Sequence, residues 1–124
     1  MNAARIAVHA PRETEHDFFL MSNLSPKSTR LPFVVWISPK GGARHDIRVK
    51  VSRSYKTKPG ELIVVSVRPK VEVLRGELRP SELRLLKKWI DLNRETLVKF
   101  WDGEIEYTED ALALLRPLAS PRRS

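Results

Sequence analysis

Residues 33–37 read Phe33-Val34-Val35-Trp36-Ile37, an unbroken run of apolar, aromatic and β-branched side chains. Pro32 stands before this run, and Pro39-Lys40-Gly41-Gly42 follows shortly after it. A short apolar run between turn residues is typical of a strand that is covered on both faces, or whose outer face is sealed by a helix. Gly41-Gly42 is also a hairpin signal, so we expect the chain to turn back into a second strand.

Three more strands are predicted after this turn. Residues 46–52 alternate, with Ile47, Val49 and Val51 on one face and Asp46, Arg48, Lys50 and Ser52 on the other. This alternation indicates a half-exposed strand whose outer face is basic. Residues 61–68 predict a more apolar, central strand, and residues 70–74 a short fourth strand. We expect the polar residues 53–60 to form a mobile loop.

A long helix follows the strands. Pro80 suits the first helical turn, and no Gly or Pro interrupts the chain from there to Trp101. Spacings of three and four residues place on one face Leu83, Leu86, Trp89, Ile90, Asn93, Leu97, Phe100 and Trp101. Gly103 suits the C-terminal cap, and Thr108 suits the N-cap of a short helix over residues 111–116. The order predicts an α+β domain, with a three- to four-stranded antiparallel sheet packed by one long helix, plus a short C-terminal helix.

The chain of 124 residues has room for one domain, which we place at residues 28–118. Residues 1–27 are expected to be a disordered N-terminal tail, and residues 119–124 a frayed C-terminal tail. One hypothesis places the native start at Met21 instead of Met1. We find no apolar stretch long enough for a signal peptide or a membrane span. The absence of cysteine fits a reducing compartment, so we expect a cytoplasmic protein with no membrane partner.

Residues that carry enzyme chemistry are sparse. His45 is the only histidine outside the predicted N-terminal tail, and no Gly-x-Ser-x-Gly motif frames a serine that it would activate. The three histidines lack the spacing of metal ligands, and Gly41-Gly42 lacks the rest of any phosphate-binding motif. We therefore predict no catalytic residue, no metal site and no cofactor, and a surface or strand-edge position for His45.

The formal net charge is +8, and almost all of the excess lies in the middle of the chain. Residues 31–80 contain eleven basic and four acidic side chains. Such a segment is the electrostatic footprint expected of a protein that binds nucleic acid through its phosphates. Tyr55 lies within it and is placed to stack on a base. We predict contacts to nucleic acid, either RNA or a ribonucleoprotein, at Lys40, Arg44, Arg48, Lys50, Arg53, Tyr55, Lys56 and Lys58.

Other interpretations of these residues stay open from the sequence. The basic side chains also fit a solvated strand face and a flexible loop, and Tyr55 also fits an anchor packed against the sheet. Trp36, Trp89 and Trp101 fit core positions, but a small sheet with one long helix also leaves an edge available to another chain. The second hypothesis is therefore a protein-interaction module or homodimer that uses a sheet edge and the tryptophans.

Motifs over about residues 31–102 occur in the order seen in a known protein family, and the similarity is clearest in the helical half. Its defining residues are Gly76, Leu78, Trp89, Asn93, Arg94, Leu97 and Trp101. With these residues the chain resembles a small bacterial family, domain of unknown function 4160. The family shows a histidine pair on an early strand, whereas this chain keeps at most His45, so no metal or acid–base role is carried over. Its genes often lie beside that of another small protein, and the resemblance therefore implies a protein partner, as in a toxin–antitoxin-like pair.

Overall fold

The structure, a computed structural model, describes residues 20–119. The predicted tails, apart from residues 20–27 and Ala119, lie outside this range. The strands are β1 (Ser22–Leu24), β2 (Val34–Ile37), β3 (Arg48–Ser52), β4 (Ile63–Ser66) and β5 (Val73–Arg75). The helices are α1 (Pro26–Thr29), α2 (Pro80–Trp101) and α3 (Thr108–Leu114), and a short 3-10 helix covers Pro59–Glu61.

The sheet is an antiparallel meander, in which each strand pairs with the next along the chain in the order β1-β2-β3-β4-β5. Strands that are neighbours in sequence are thus neighbours in space, the commonest arrangement for short connections. The predicted α+β class is confirmed, with one long helix and a short C-terminal helix after the strands. Four strands, β2 to β5, lie where the pattern predicts them, and β1 is a fifth strand that it does not predict.

The position of β1 and α1 corrects the predicted beginning of the domain. Leu24 pairs with Val35 of β2 and is buried. Ser25 caps α1, because its side chain accepts a hydrogen bond from the backbone N–H of Ser28 at 3.0 Å. Residues 22–27 therefore belong to the sheet and its first helix rather than to a disordered tail. A strand of three residues is too short to show alternation, which is why the pattern misses it.

The main core lies between one face of the sheet and α2. Alternate side chains of the strands pack against the buried stripe of α2, and Ala111 of α3 joins the same cluster. The principal members of the cluster are Val35, Val49, Val51, Val65, Leu86, Trp89, Ile90, Leu97 and Phe100. The apolar spacing along residues 80–101 therefore predicts correctly which face of α2 is buried.

The opposite face of the sheet is also buried around β2. Val34, Trp36 and Leu62 form a second apolar cluster, in which no side chain is more than 6% exposed. Trp36 donates a hydrogen bond from Nε1 to Ser52 Oγ at 2.8 Å, which joins β2 to β3 through their side chains. β2 is therefore covered on both faces, as its unbroken apolar run predicts.

Two glycines shape the ends of α2. Gly76, between β5 and α2, has a φ of +88°, and a Cβ there would lie 3.0 Å from Ile63 Cγ1 and 3.2 Å from Ile63 Cα. Glycine suits this turn because both the positive φ and the close approach to β4 disfavour a side chain. Gly103, with a φ of +86°, follows α2 as predicted and lets the chain leave the helix.

We expect Leu86→Ala to lower the free energy of unfolding by about 2–5 kcal/mol, because the truncation leaves a cavity at a fully buried position. Leu85→Ala is the matched control, since Leu85 is 37% exposed and its loss should amount to less than about 1 kcal/mol. Chemical denaturation followed by tryptophan fluorescence measures both values. Equal losses in the two variants would contradict this assignment of the buried face of α2.

Candidate nucleic-acid interface

The eight predicted contact residues fall into three places along the chain. The loop between β2 and β3 holds Lys40 and Arg44, and β3 itself holds Arg48 and Lys50. The loop between β3 and β4 holds Arg53, Tyr55, Lys56 and Lys58. β3 has five residues, so it separates the two loops by roughly 17 Å at about 3.4 Å per residue. The predicted continuous strip is therefore two groups with a strand between them.

The prediction that Lys50 lies on a solvated strand face is wrong. Lys50 is 5% exposed, and it lies between Trp36 of β2 and Val64 of β4, which are both buried. Arg48, the first residue of β3, is half-buried. Alternation predicts which side chains share one face of a strand, but it does not say whether solvent reaches that face.

Arg53 is held in an ion pair with Glu82 of α2. Its Nη1 donates to Glu82 Oε2 at 2.6 Å and its Nη2 donates to Oε1 at 3.0 Å, the two-bond geometry that guanidinium and carboxylate groups favour. The guanidinium carbon also lies 6.0 Å from the centre of the Phe33 ring, in a cation–π contact. Arg53 is therefore a structural residue that fixes the base of the β3–β4 loop.

Glu82 is the acceptor at the centre of this arrangement. It is 4% exposed, and it also accepts a hydrogen bond from the backbone N–H of Arg79 at 2.9 Å. Hydrogen bonds from the Arg53 side chain, and then from the Arg79 backbone, lower the pKa of Glu82 from 4.5 to about 2. Glu82 lies in the first turn of α2. Its pairing with Arg53 joins residues far apart in the chain, and local spacing carries no signal of it.

Side-chain hydrogen bonds shape the β3–β4 loop that carries Tyr55. Ser52 Oγ donates to the backbone oxygen of Ser54 at 2.7 Å, and the backbone N–H of Lys56 donates to Ser54 Oγ at 3.0 Å. Tyr55, between these residues, is 51% exposed. That exposure does not support a role as an anchor packed against the sheet. The loop instead presents an accessible aromatic ring beside the exposed side chains of Lys56 and Lys58.

The β2–β3 loop is held against the C-terminal end of α2. The backbone N–H of Lys40 donates to the backbone oxygen of Trp101 at 3.1 Å, and the ring of His45 stacks on Trp101 with 5.7 Å between centroids. Arg68 donates two hydrogen bonds to Asp46, at 2.8 and 2.9 Å, and lowers the pKa of that carboxyl group. His45 is therefore part of the contact that positions this loop.

The described cations differ sharply in whether a carboxylate neutralises them. On α2, Lys87 and Arg94 both pair with Asp91, at 2.8 and 2.6 Å, and Lys99 pairs with Glu95 at 3.0 Å. All three pairs join residues three or four positions apart on the same helix face. Within residues 20–119 no ion pair is formed by the exposed Lys40, Arg44, Lys56 and Lys58 of the loops, nor by the exposed Arg84 and Lys88 of α2.

Metal-binding and membrane-spanning features are both absent from the part of the chain that the structure describes. No group of three or more His, Asp and Glu side chains there has the arrangement of a metal site. None of the helices in the same range is long and apolar enough to cross a bilayer.

Residues 43–102 match the model of a family described as a domain of unknown function (DUF4160). The resemblance that the helical motifs indicate is confirmed, and the match begins later than the expected residue 31 and ends as expected at residue 102. It covers the chain from the middle of the β2–β3 loop to just past the end of α2, including Arg53, Tyr55 and Glu82. No curated protein and no solved structure matches the chain.

We expect Glu82→Gln to lower the free energy of unfolding by roughly 1–3 kcal/mol at neutral pH, because it removes the charge that Arg53 and Arg79 surround. The pKa of Glu82 is lowered to about 2 in the folded protein. Its contribution is therefore fully present above its ordinary value of 4.5 and is lost as the pH falls toward 2. Denaturation at a series of pH values should show the difference between wild type and variant shrinking over that interval.

Glu95→Gln is the control for this experiment. The Glu95 side chain is 81% exposed in its pair with Lys99, so solvent screens the pair and the variant should lose much less stability than Glu82→Gln. A comparable loss in both variants, or a Glu82→Gln effect that does not change with pH, would show that the Glu82 charge is not what stabilises this contact.

Proposed function

We propose that the protein binds nucleic acid, as RNA or within a ribonucleoprotein, through two basic clusters. The hairpin cluster consists of Lys40, Arg44 and Arg48, and the loop cluster consists of Tyr55, Lys56 and Lys58. The observation that carries the proposal is the contrast in ion pairing. The exposed Lys40, Arg44, Lys56 and Lys58 of the two loops all lack a carboxylate partner within residues 20–119, whereas on α2 three of the five cations are paired and only Arg84 and Lys88 are not. Unpaired surface cations are the ones available to phosphates.

The separation of the two clusters suits a polyanion. A gap of roughly 17 Å is short enough for a few nucleotides of one extended strand to span. One strand would therefore place phosphates on both clusters. Contacts of this kind are made to phosphates and carry no sequence information by themselves, so we propose low to moderate sequence specificity.

Tyr55 supports a substrate with unpaired bases. Its ring is 51% exposed, and the loop that holds it is shaped by the hydrogen bonds of Ser52 and Ser54. Bases in a duplex are stacked on each other, whereas an unpaired base is free to stack on an aromatic ring. The absence of cysteine from the chain is consistent with a reducing compartment such as the cytoplasm.

A protein partner, in a toxin–antitoxin-like pair or a homodimer, is the second candidate. It is favoured by the edge strand β5, which pairs only with β4 in the sheet and carries Leu74 at 47% exposure. The tryptophans do not support it, because Trp36, Trp89 and Trp101 are at most 6% exposed.

We expect the double variant Lys56→Glu/Lys58→Glu to bind a short single-stranded RNA of mixed sequence about tenfold or more weakly than wild type, because two attractive interactions with phosphates become repulsive. The dependence of log affinity on log salt should also become shallower, by about 0.7 for each phosphate that the variant no longer neutralises. Fluorescence anisotropy between about 50 and 200 mM salt measures both quantities.

Arg84→Glu/Lys88→Glu is the control with an identical change in net charge, since both residues lie exposed on the solvent face of α2. Its affinity should stay close to that of wild type. An equal reduction in both double variants would mean that net charge, and not the loop cluster, governs binding. A pull-down from bacterial lysate that recovers one protein partner and no nucleic acid, whether or not nuclease is added, would favour the second candidate instead.

A further inference from the structure

A row of side chains crosses the face of the sheet that is turned away from α2, which we call the outer face. Trp36 of β2 pairs with Lys50 of β3, Lys50 with Val64 of β4, and Val64 with Arg75 of β5. Side chains at paired positions lie on the same face of a sheet. The first three residues of this row are at most 6% exposed, so solvent is largely excluded from it although Lys50 carries a charge.

The described helices do not account for this burial. α2 and α3 pack against the other face of the sheet, and α1 lines a cavity with residues of both. Among residues 20–119, Met21 is the one further apolar side chain packed against the second apolar cluster of Val34, Trp36 and Leu62. Side chains of a strand stand roughly perpendicular to the sheet, so neighbouring strands alone do not enclose an indole ring and a lysine. The outer face therefore requires a further covering segment.

The chain enters the described range beside this face. A Cβ at Gly41 would lie 3.1 Å from Leu20 Cδ1, which places Leu20 at the turn between β2 and β3. Leu20 also lines a small cavity together with Lys50. Residues 1–19 therefore join the fold next to the lysine of the outer face. Their last part contains three carboxylates followed by two phenylalanines, in the order Glu13-Thr14-Glu15-His16-Asp17-Phe18-Phe19.

Lys50 and Arg75 place two positive charges on the outer face. An ammonium group that is 5% exposed is stable only with carboxylates or other acceptors around it. Arg75 donates to the backbone oxygens of Pro59 and Leu62 at 3.0 and 3.2 Å, which places its guanidinium beside the second apolar cluster. A segment that fits this face is therefore both acidic and aromatic, as residues 13–19 are.

The distances agree with the length of this segment. Asp17 is three residues before Leu20, a reach of at most about 11 Å, and Leu20 shares a cavity with Lys50. β3 and β5 are two strands apart, a separation of about 10 Å, and residues 13–17 span about 14 Å when extended. One short segment is therefore long enough to place carboxylates near both positive charges.

We propose that residues 13–19 pack across the outer face of the sheet. Phe18 and Phe19 cover the second apolar cluster, and the carboxylates of the segment pair with Lys50 and Arg75. The last part of the predicted N-terminal tail is then a cover of the sheet, and it withholds these two cations from a polyanion. The proposal is independent of the proposed RNA binding, because neither basic cluster supplies a residue to it.

Carbodiimide cross-linking of the full chain tests the contact with Lys50. The reagent activates carboxylates, and an amine that touches an activated carboxylate forms an amide bond with it. We expect mass spectrometry of the digested protein to find Lys50 linked to Glu13, Glu15 or Asp17. A mixture of ¹⁴N- and ¹⁵N-labelled chains distinguishes a link within one chain from a link to a second copy. Links that join the two isotopes, links from Lys50 to other carboxylates only, or no link at Lys50 would overturn the proposal.

The rate at which Lys50 is acetylated measures how well the segment covers it. In wild type a brief exposure to an acetylating reagent should modify Lys50 much more slowly than the exposed Lys56. The triple variant Glu13→Gln/Glu15→Gln/Asp17→Asn should raise the rate at Lys50 about tenfold or more, because the cover opens more often. An unchanged rate at Lys50 in this variant would contradict the proposal.

A second triple variant with an identical change in charge is the control. Glu104→Gln/Glu106→Gln/Asp110→Asn alters exposed positions after α2 and should leave Lys50 as slow as in wild type. Equal acceleration in both variants would mean that net charge, and not the cover, governs the rate. Amide hydrogen exchange in α2 should be the same in all three proteins, which separates loss of the cover from unfolding. If the first variant loses that protection, the cross-linking of wild type decides.

Discussion

Between the base of the β3–β4 loop and the first turn of α2 lies the carboxylate of Glu82, which is 4% exposed. A buried charge is tolerated only where good hydrogen bonds and an opposite charge surround it. Arg53 and the backbone N–H of Arg79 provide them here. Because these groups come from the loop and from the start of the helix, this one contact determines where α2 begins against the sheet. It also determines where the segment that carries Tyr55 leaves β3.

The far end of α2 is tied to the opposite loop. With 22 residues the helix is about 33 Å long, and its last residue, Trp101, accepts a hydrogen bond from Lys40 and stacks on His45. In its middle, Asn93 holds the backbone of Arg116 in the segment after α3. One helix thus anchors both basic clusters and the segment after α3, so substitutions on its buried face would disturb all three.

Net charge and available charge are different quantities in this protein. The chain has a formal charge of +8, yet Arg53, Arg68 and several cations of α2 are engaged with carboxylates. Four of the unpaired exposed cations, Lys40, Arg44, Lys56 and Lys58, lie in the two loops at the ends of β3. The proposed interface therefore depends on which charges are paired, and its two clusters lie within reach of one strand of RNA.

Local sequence by itself determined the meander of β2 to β5, the buried stripe of α2 and the basic loop around Tyr55. Each of these depends on contacts between residues close in the chain, so periodicity and turn residues encode them. Only the tertiary structure decided that Lys50 is buried, that Arg53 forms an ion pair with Glu82, and that β1 adds a fifth strand to the sheet. It also brought the backbone of Arg116 to the side chain of Asn93. Burial and long-range pairing depend on which segments meet in space, and no local spacing carries that information.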